Sequence, residues 1–385
     1  MKATVVPSLF LFALTATTAA LASPVQQPGS PGEREIAIPT IDISQETDRH
    51  VVIAAGTKDT YHGHATTLLM PDGETMFSVW CLGHGGACGP LKRSDDSGRT
   101  WSDLLTVPDN WRQVRNCPAI YRLVDPEGTA RLVVFAGQGP GGTMHQSHSD
   151  DGGRTWTPME CTGLTTVMPL CTIEPVDGGK RLLGMTNIRR PGETVEKRSN
   201  VVAQSFSTDG GLTWSGPWEV VLDVPGCVPC EPWLIRSPDG GQLLCILREN
   251  NRSYNSWMMT SDDEGRTWSK ARQLPAALSG DRHASRYTAD GRLFIAFHDT
   301  AQQSPTRNHF AGWVGTYDDI VAGREGQYRV KLLNSHAGSD CGYAAVERLP
   351  DDTILATTYV KYRPGPEKRS VVTVRLKLEE LNAKK

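Results

Sequence analysis

The chain has 385 residues, 43 of them acidic and 40 basic, and its formal net charge is −3. A chain of this length can bury the core of one large repeat domain. The balanced charge and the lack of a basic run argue against a nucleic-acid or anionic membrane partner. The nine cysteines are an odd number, so at least one stays unpaired if the others form disulfides.

The N-terminal segment has the features of an export signal. The apolar run Val5–Leu14 is too short to span a bilayer permanently, and Ala20-Leu21-Ala22, with small residues at its first and third positions, is typical of a cleavage site. We therefore expect a signal peptide over residues 1–22, a flexible leader over 23–35 and one folded domain over 36–385. The sequence thus predicts an exported protein, periplasmic or extracellular.

Six segments of the expected domain share one pattern. Each begins with a short polar or Cys-containing stretch, followed by a strand, a turn rich in Pro, Asp or Gly, and a second apolar strand. The segments are His64–Trp80, Cys117–Phe135, Met168–Met185, Cys230–Leu247, His283–Phe297 and Cys341–Tyr359. The three that begin with a cysteine are expected to place it at equivalent positions near a crowded axis. An earlier stretch, His50–Ile53, is expected to supply the missing outer strand of the last unit.

Four near-copies of one phrase follow the first four units. The shared pattern is Ser-x-Asp-x-Gly-x-Thr-Trp, and its serines recur at intervals of 55, 58 and 54 residues. The copies begin at Ser94, Ser149, Ser207 and Ser261. Each copy predicts a tight turn followed by a Trp that buries its ring against a neighbouring sheet. Repeats of this period favour an all-β, six-bladed β-propeller of four-stranded antiparallel blades.

The repeated phrase resembles the Asp-box, or BNR repeat, of the sialidase (neuraminidase) superfamily. In that family the boxes lie on outer turns away from the active site, so we expect the box aspartates to be structural. The resemblance implies a six-bladed propeller that holds the carboxylate of a sugar with three arginines. It also implies a tyrosine nucleophile assisted by a glutamate, and an aspartate as acid/base.

The innermost strands of a propeller start, and its second strands end, at one mouth of the central channel, where a ligand site is expected. At this mouth the resemblance assigns Tyr343 as the nucleophile and Glu231 as the carboxylate that assists it. A carboxylate can take the proton of a phenol as the phenol attacks, and arginine forks bind an anionic substrate through paired bonds. The candidates for substrate binding are two arginines matched by the resemblance and two further residues of the mouth: Arg248, Arg282, Arg189 and His283.

The first blade departs from the family pattern in two ways. It lacks the family's first arginine, and the loop 81–89 has no acid where the family has its aspartate. His62, His64 and His84 occupy this gap, and we expect them to transfer protons near neutral pH. Metal binding by the three histidines is the alternative. The sequence assigns no cofactor and no set of metal ligands.

These observations predict an exported exo-glycosidase of sialidase type. Its substrates would be terminal acidic sugars of glycans, sialic acid or a related anionic sugar. A polysaccharide lyase acting on uronic acids and a non-catalytic glycan-binding propeller are the alternatives. The expected partner is a glycan or oligosaccharide, with no nucleic acid and no membrane, and the protein is expected to be a monomer.

Overall fold

The computed structural model describes most of the chain beyond the expected leader. It describes residues 1, 35–139, 142–189, 200–220, 222, 224, 226–382 and 384. Apart from Met1, the expected signal peptide lies outside the described residues, as does the leader up to residue 34. Within the described part of the chain, no helix is both long enough and apolar enough to cross a bilayer.

Short strands make up nearly all of the regular structure. The first twelve are β1 (Thr40–Asp42), β2 (His50–Ala54), β3 (His62–Leu69), β4 (Met76–Leu82), β5 (Leu91–Ser94), β6 (Ala119–Val124), β7 (Ala130–Ala136), β8 (His145–Ser149), β9 (Glu160–Cys161), β10 (Thr172–Val176), β11 (Arg181–Arg189) and β12 (Asn200–Ser207). The next twelve are β13 (Ser215–Glu219), β14 (Pro229–Arg236), β15 (Leu243–Glu249), β16 (Trp257–Ser261), β17 (Arg272–Gln273), β18 (Gly280–Tyr287), β19 (Leu293–Asp299), β20 (Phe310–Gly315), β21 (Tyr328–Leu333), β22 (Gly342–Arg348), β23 (Ile354–Val360) and β24 (Ser370–Leu376). The α-helices are α1 (Tyr317–Ala322) and α2 (Leu378–Asn382), and 3₁₀ turns lie at Thr47–Arg49, Asp109–Gln113, Asp177–Gly179 and Ala276–Leu278.

The strands form six antiparallel sheets arranged as blades around one axis. From the axis outward the blades are β3-β4-β5, β6-β7-β8-β9, β10-β11-β12-β13, β14-β15-β16-β17, β18-β19-β20-β21 and β22-β23-β24-β2. A parallel strand, β1, lies outside β21 in the fifth blade. The last blade contacts the first through β22 and β3, which closes the ring. The six-bladed, all-β propeller predicted from the repeats is therefore confirmed.

Ring closure uses the start of the folded domain. Strand β2 pairs antiparallel with β24, and His50 lies opposite Val374. The expectation that residues 50–53 complete the last blade is confirmed. Pairing β2 with β24 of the last blade covers a sheet edge that would otherwise be open to other chains.

Apolar side chains between neighbouring blades form the core. Between the first and second blades, Phe77, Trp111 and Val134 are completely buried. Between the fifth and sixth blades, Phe294 and Ile354 occupy the same kind of layer. Each blade buries one face against each neighbour, and the removal of this apolar area from water stabilises the ring. Because the core lies between the blades, the axis can hold polar side chains.

The four Asp-boxes share one set of hydrogen bonds. In the first box, Asp96 accepts from the backbone N–H of Thr100 at 2.8 Å and from its hydroxyl at 2.6 Å. Ser94 Oγ accepts from the N–H of Gly98 at 2.9 Å. Burial opposes ionisation, but the hydrogen bonds from Thr100 and Ser94 outweigh it and lower the pKa of Asp96 to about 2. The box carboxylates are therefore occupied by local turn contacts.

The second box also packs against the preceding blade at Gly153. Its φ is +88°, and a Cβ there would lie 2.5 Å from the Phe77 ring, whereas the adjacent Gly152 (φ +75°) has open space. We expect Gly153→Ala to lower the free energy of unfolding by about 3 kcal/mol, since it adds a clash to the left-handed backbone cost. Gly152→Ala should cost only about 1 kcal/mol. Urea denaturation of both variants checks this, and equal losses would contradict the packing argument.

Candidate active site

A β-bulge recurs near the start of the innermost strands. In β3, β14, β18 and β22 the register with the next strand shifts across the bulge. Left-handed backbone angles occur inside these bulges and at the matching point before β6: His64 (φ 47°), Cys117 (51°), Glu231 (52°), Arg282 (49°) and Tyr343 (54°). Such angles cost a non-glycine residue on the order of 1–3 kcal/mol and cluster at functional sites. The five side chains contact one another across the blades, so they share the axis.

The bulges also decide the register of the cysteines. Cys117 occupies the left-handed position that matches the bulge residues, whereas Cys230 lies one residue before Glu231 and Cys341 lies two before Tyr343. The expected equivalence of the three cysteines is wrong by one or two positions, because their spacing does not show where the bulge falls. All nine cysteines of the chain are free thiols in the structure.

Tyr343, Glu231 and Arg248 form one hydrogen-bonded chain. The Tyr343 hydroxyl donates to Glu231 Oε1 at 2.8 Å, and Arg248 Nη1 donates to the same oxygen at 2.7 Å. Glu231 is only 2% exposed, and its Oε2 has no hydrogen-bond partner among the described residues. Asn187 on the neighbouring blade holds the bulge by accepting the Glu231 backbone N–H at 2.7 Å. The sequence placed these three side chains at one mouth, and the structure brings them into contact.

The environment of Tyr343 keeps its phenol protonated at rest. Burial raises the pKa of Tyr343 well above its usual value, and the nearby Cys117 and Glu231 raise it further, although Arg248 opposes them. The phenol therefore needs a base to become a nucleophile at neutral pH. Glu231 is in hydrogen-bond contact with it and can be that base.

A second carboxylate, Asp281, gathers three cationic side chains. Arg252 donates to its two oxygens at 2.5 and 2.6 Å, and Arg248 Nε lies 2.9 Å from Oδ1. His298 Nδ1 lies 3.3 Å from Oδ2. Burial opposes ionisation of Asp281, but the charges of Arg248, Arg252 and His298 hold its pKa well below the usual range. Burial likewise opposes the charge of His298, but Cys341 and Asp281 raise its pKa to about 10.

A cavity of about 580 Å³ opens beside this cluster. It is lined by Tyr343, Arg248 and Arg252 and by the exposed Arg307 of the loop between β19 and β20. Among the described residues, the Arg307 side chain has no recorded hydrogen bond or ion pair. A polar cavity with a free guanidinium at its rim can accept an anionic ligand.

Asp340 supplies an acid that the sequence analysis did not find. It lies between β21 and β22 and accepts from the Tyr61 hydroxyl at 3.0 Å, while His84 Nδ1 lies 3.1 Å from Oδ1 and Arg369 lies 2.8 Å from Oδ2. Burial raises the pKa of Asp340, but the contacts with His84, Arg369 and Tyr61 outweigh it and lower the pKa to about 2. Asp340 of the last blade thus contacts the first-blade loop 81–89, which contains no acidic residue of its own. Asp340 directly precedes the expected start of the sixth unit at Cys341, so a search widened by one residue would have included it.

His64 lies at the axis, where it contacts Tyr343 and Cys117. Its ring centroid is 4.2 Å from that of Tyr343, and its Nδ1 is 3.1 Å from Cys117 Sγ. Burial, followed by the charges of His84 and Arg282, lowers the pKa of His64 to about 3. His64 is therefore neutral at physiological pH. Burial also raises the pKa of Cys117 well above its usual value, so this Cys–His pair is not a thiolate nucleophile.

Three of the sequence-predicted residues neither line the cavity nor take part in the side-chain contacts around Tyr343. His62 Nδ1 accepts from the Trp80 indole at 2.8 Å, so its ring packs against its own blade. His283 is fully buried, and its Nε2 lies 3.0 Å from the Leu278 carbonyl. Arg189 is exposed at the end of β11, beside residues 190–199, which are not described. Their positions along the strands predicted that these residues lie at the mouth. Their side chains point away from Tyr343, Glu231 and Arg248.

Arg282 reaches the axis but does not line the outer cavity. Its guanidinium lies over the Tyr343 ring, 5.4 Å from the ring centroid. The negative face of the ring attracts the cation there. Arg282 lines a separate inner cavity instead.

The sequence analysis missed three residues of the site: Arg252, Asp340 and Arg307. Each lies in a loop beyond a strand end, where the repeat pattern gives no register. In the described part of the chain, no group of three or more His, Cys, Asp or Glu side chains is arranged to hold a metal ion.

Comparisons with known proteins agree with this architecture. Residues 176–313 match the sequence model of the BNR repeat-like domain. No curated protein matches the chain at a significant level. The match with the BNR repeat-like model covers part of the chain and agrees with the repeated boxes seen in the sequence.

Solved structures with this fold include glycosidases of different specificity. The GH93 α-L-arabinofuranosidase of Fusarium graminearum, solved with arabinobiose, has 14% identity and a TM-score of 0.62, with 86% of this chain and 98% of that chain covered. The NanB sialidase of Streptococcus pneumoniae has 12% identity and a TM-score of 0.59, with coverages of 86% and 70%. The intramolecular trans-sialidase of Ruminococcus gnavus, solved with oseltamivir carboxylate, has 14% identity and a TM-score of 0.57, with coverages of 86% and 97%. At these identities the likeness concerns the fold.

Proposed function

We propose that this protein is an exported glycoside hydrolase that removes a terminal acidic sugar from a glycan. The observation that carries the proposal is the hydrogen-bonded chain of Tyr343, Glu231 and Arg248 beside a polar cavity. A phenol held against a buried carboxylate is an arrangement that suits nucleophilic attack. Structural neighbours that act on arabinosides and sialosides support a hydrolase on this fold. Export rests on residues 1–22, and N-terminal sequencing of the secreted protein, expected to begin near Ser23, tests it.

The first step forms a bond between Tyr343 and the sugar. Glu231 takes the phenolic proton while the Tyr343 oxygen attacks the anomeric carbon, and the glycosidic C–O bond breaks as this bond forms. Arg248 holds Glu231 in place by donating to Oε1, the oxygen that also accepts from the Tyr343 hydroxyl. A neutral phenol also avoids the repulsion that a carboxylate nucleophile would meet from an anionic substrate.

The leaving oxygen needs a proton, and His84 is placed to give it. His84 lines the cavity, and its Nδ1 contacts Asp340, so its other ring nitrogen is available on the exposed side of the ring. Asp340 has a pKa of about 2 and stays ionised, so it orients His84 and stabilises the imidazolium rather than donating the proton itself. In the second step a water molecule gives its proton back to His84 and attacks the sugar. Tyr343 then leaves and recovers its proton from Glu231.

The charges at the cavity favour an anionic substrate. Arg248, Arg252, the protonated His298 and the rim residue Arg307 outnumber the two carboxylates they face, Asp281 and Glu231. This excess of positive charge can be balanced by the carboxylate or sulfate of an acidic sugar. Neutral pentosides, such as the arabinobiose bound to two structural neighbours, lack that charge.

The direct test is a screen of the purified protein against sialosides, uronides, sulfated glycosides and neutral arabinosides, with product masses recorded. We expect release of an acidic monosaccharide and no release from arabinosides. Binding without turnover across the whole screen would instead support a non-catalytic glycan-binding propeller.

A lyase that acts on uronic acids is the second candidate. The observation that favours it is the packing of the neutral His64 ring on Tyr343, with ring centroids 4.2 Å apart. A histidine and a tyrosine placed side by side can remove a proton from carbon and return it. Elimination leaves an unsaturated uronide that absorbs in the ultraviolet, whereas hydrolysis adds the mass of water. The same screen therefore separates the two reactions.

The Asp340–His84 pair gives a prediction about the leaving group. We expect Asp340→Asn to lower kcat about 100-fold on glycosides with alkyl leaving groups, which need protonation, and less than about 10-fold on activated aryl glycosides. His84→Gln should give the same pattern, and the double variant should be no worse than either single one. Asp59→Asn, an exposed change near Tyr61, serves as the control. Equal losses on both kinds of leaving group would show that Asp340 is only structural.

A further inference from the structure

We propose that the leaving part of the substrate is itself anionic and lies on a basic surface beside His84. The surface is formed by the loops 55–61 and 361–369, called here the basic rim. The partner is the carboxylate- or sulfate-bearing chain of an acidic polysaccharide. This proposal rests on the hydrolase function proposed above and adds the nature of its leaving group.

The two loops of the basic rim are bonded to each other. The Lys368 N–H donates to the Thr57 carbonyl at 2.8 Å, and the His62 N–H donates to the Arg369 carbonyl at 3.1 Å. The Lys368 ammonium donates to the Asp59 carbonyl at 3.2 Å. These bonds join the last blade to the first, so the two loops form one surface.

The basic rim adjoins the proposed proton donor through Asp340. Arg369 of the rim lies 2.8 Å from Oδ2 of this carboxylate, and the Tyr61 hydroxyl of the rim donates to it at 3.0 Å. His84 Nδ1 lies 3.1 Å from the other oxygen of the same carboxylate. Because His84 protonates the leaving oxygen in the proposed reaction, the leaving part of the substrate is expected on the side of the cavity where the rim lies.

Four cations of the basic rim are not neutralised by the protein. Among the described residues no ion pair is recorded for Lys58, Lys361, Arg363 and Lys368. The ammonium groups of Lys361 and Lys368 donate only to backbone carbonyls. The Arg363 guanidinium lies 5.4 Å from the centroid of the Tyr362 ring. These positive charges are therefore available to a ligand.

The acidic residues of the same loops are too few to balance these cations. They are Asp59 and Glu367, two carboxylates against four cations, since the charge of Arg369 is paired with Asp340. The chain as a whole has a net charge of −3, so the surplus of positive charge is a local property of this surface. Lysine and arginine bind carboxylates and sulfates through charge-assisted bonds, whereas a neutral leaving group gains nothing from them. The position of the rim beside a sugar-sized cavity favours a polysaccharide over a nucleic acid.

Binding of a fluorescently labelled heparin hexasaccharide tests the basic rim without requiring turnover. Fluorescence anisotropy should show that the wild type binds this probe and does not bind neutral maltohexaose. The triple variant Lys58→Gln/Arg363→Gln/Lys368→Gln should bind the probe about tenfold more weakly. Between about 50 and 200 mM NaCl, the affinity of the wild type should fall more steeply than that of the variant.

A second triple variant controls for the change in net charge. Arg99→Gln/Arg154→Gln/Lys270→Gln removes the same number of exposed cations outside the basic rim. Its affinity for the heparin probe should stay within about twofold of the wild type. Equal losses in the two triple variants, or no binding of heparin by the wild type, would overturn the proposal. Tighter binding of a labelled single-stranded DNA hexanucleotide would assign the surface to nucleic acid and overturn it as well.

Kinetics separate the basic rim from the proposed hydrolase. On an acidic sugar that the screen shows to be released, the rim variant should raise KM about tenfold when the leaving group is an anionic oligosaccharide, with kcat unchanged. The KM of the matching aryl glycoside should stay the same. Rim-dependent binding of heparin without cleavage of any glycoside would reject the hydrolase and keep the rim as a polysaccharide-binding surface. Cleavage with unchanged KM and unchanged heparin binding in the rim variant would keep the hydrolase and reject the rim.

Discussion

Tyr343→Phe is expected to leave the propeller folded and to lower turnover of the acidic glycoside by roughly 10³-fold or more. The substitution removes the oxygen that attacks the sugar but keeps the ring that packs on His64 and Arg282. The lost hydrogen bond to Glu231 should cost only about 1 kcal/mol of stability, because Arg248 still contacts the same carboxylate oxygen. Steady-state kinetics and thermal unfolding of the variant measure the two effects.

The neighbouring tyrosine is the matched control for this experiment. The ring of Tyr359 stacks on that of Tyr343 with centroids 6.1 Å apart, and it lines the same cavity. Its hydroxyl lies 3.3 Å from Asp340 rather than against Glu231. Tyr359→Phe should therefore lower turnover far less than Tyr343→Phe. Comparable losses in the two variants, or substantial activity in Tyr343→Phe, would remove Tyr343 from the nucleophile role.

Asp281→Asn is expected to destabilise the protein by about 3–5 kcal/mol at pH 7. The substitution leaves Arg248, the partly exposed Arg252 and the buried His298 around a neutral amide, and removal of one partner from a largely buried charge cluster costs this much. Urea denaturation measures the loss. Asp150→Asn, at an exposed carboxylate that contacts Arg131, should change stability by less than about 0.5 kcal/mol. A small effect at Asp281 would mean that solvent screens the cluster.

The same cluster predicts a pH dependence. Asp281 has a lowered pKa, so its stabilising contribution is present above the unfolded value of about 4 and is lost as the pH falls toward its native pKa. His298 has a raised pKa of about 10, so its contribution is complete below about pH 6.5 and is lost as the pH rises toward 10. The free energy of unfolding of the wild type should therefore decline between pH 6.5 and 10. In Asp281→Asn this decline should be smaller. A parallel decline in the two proteins would contradict the ion-pair assignment.

Part of the candidate site was predictable because the repeat fixes strand order. Once six units are recognised, the starts of their innermost strands must meet at one mouth, which is how Glu231, Arg248 and Tyr343 were found together. The same reasoning also placed His62 and His283 at the mouth. In these two cases the strand position was suitable, but the local backbone directs the ring toward Trp80 or Leu278.

The amino-acid sequence by itself determined the six-bladed ring, the positions of the four boxes and the closure by residues 50–53. These features depend on local turn chemistry and on periodic apolar residues, which can be read without knowing how distant segments meet. Only the tertiary structure decided that Asp340 reaches His84 and that Arg282 lies behind Tyr343 in a separate chamber. Those placements depend on one-residue bulges and on loops that join different blades, and a shift of one residue redirects a side chain without changing the repeat.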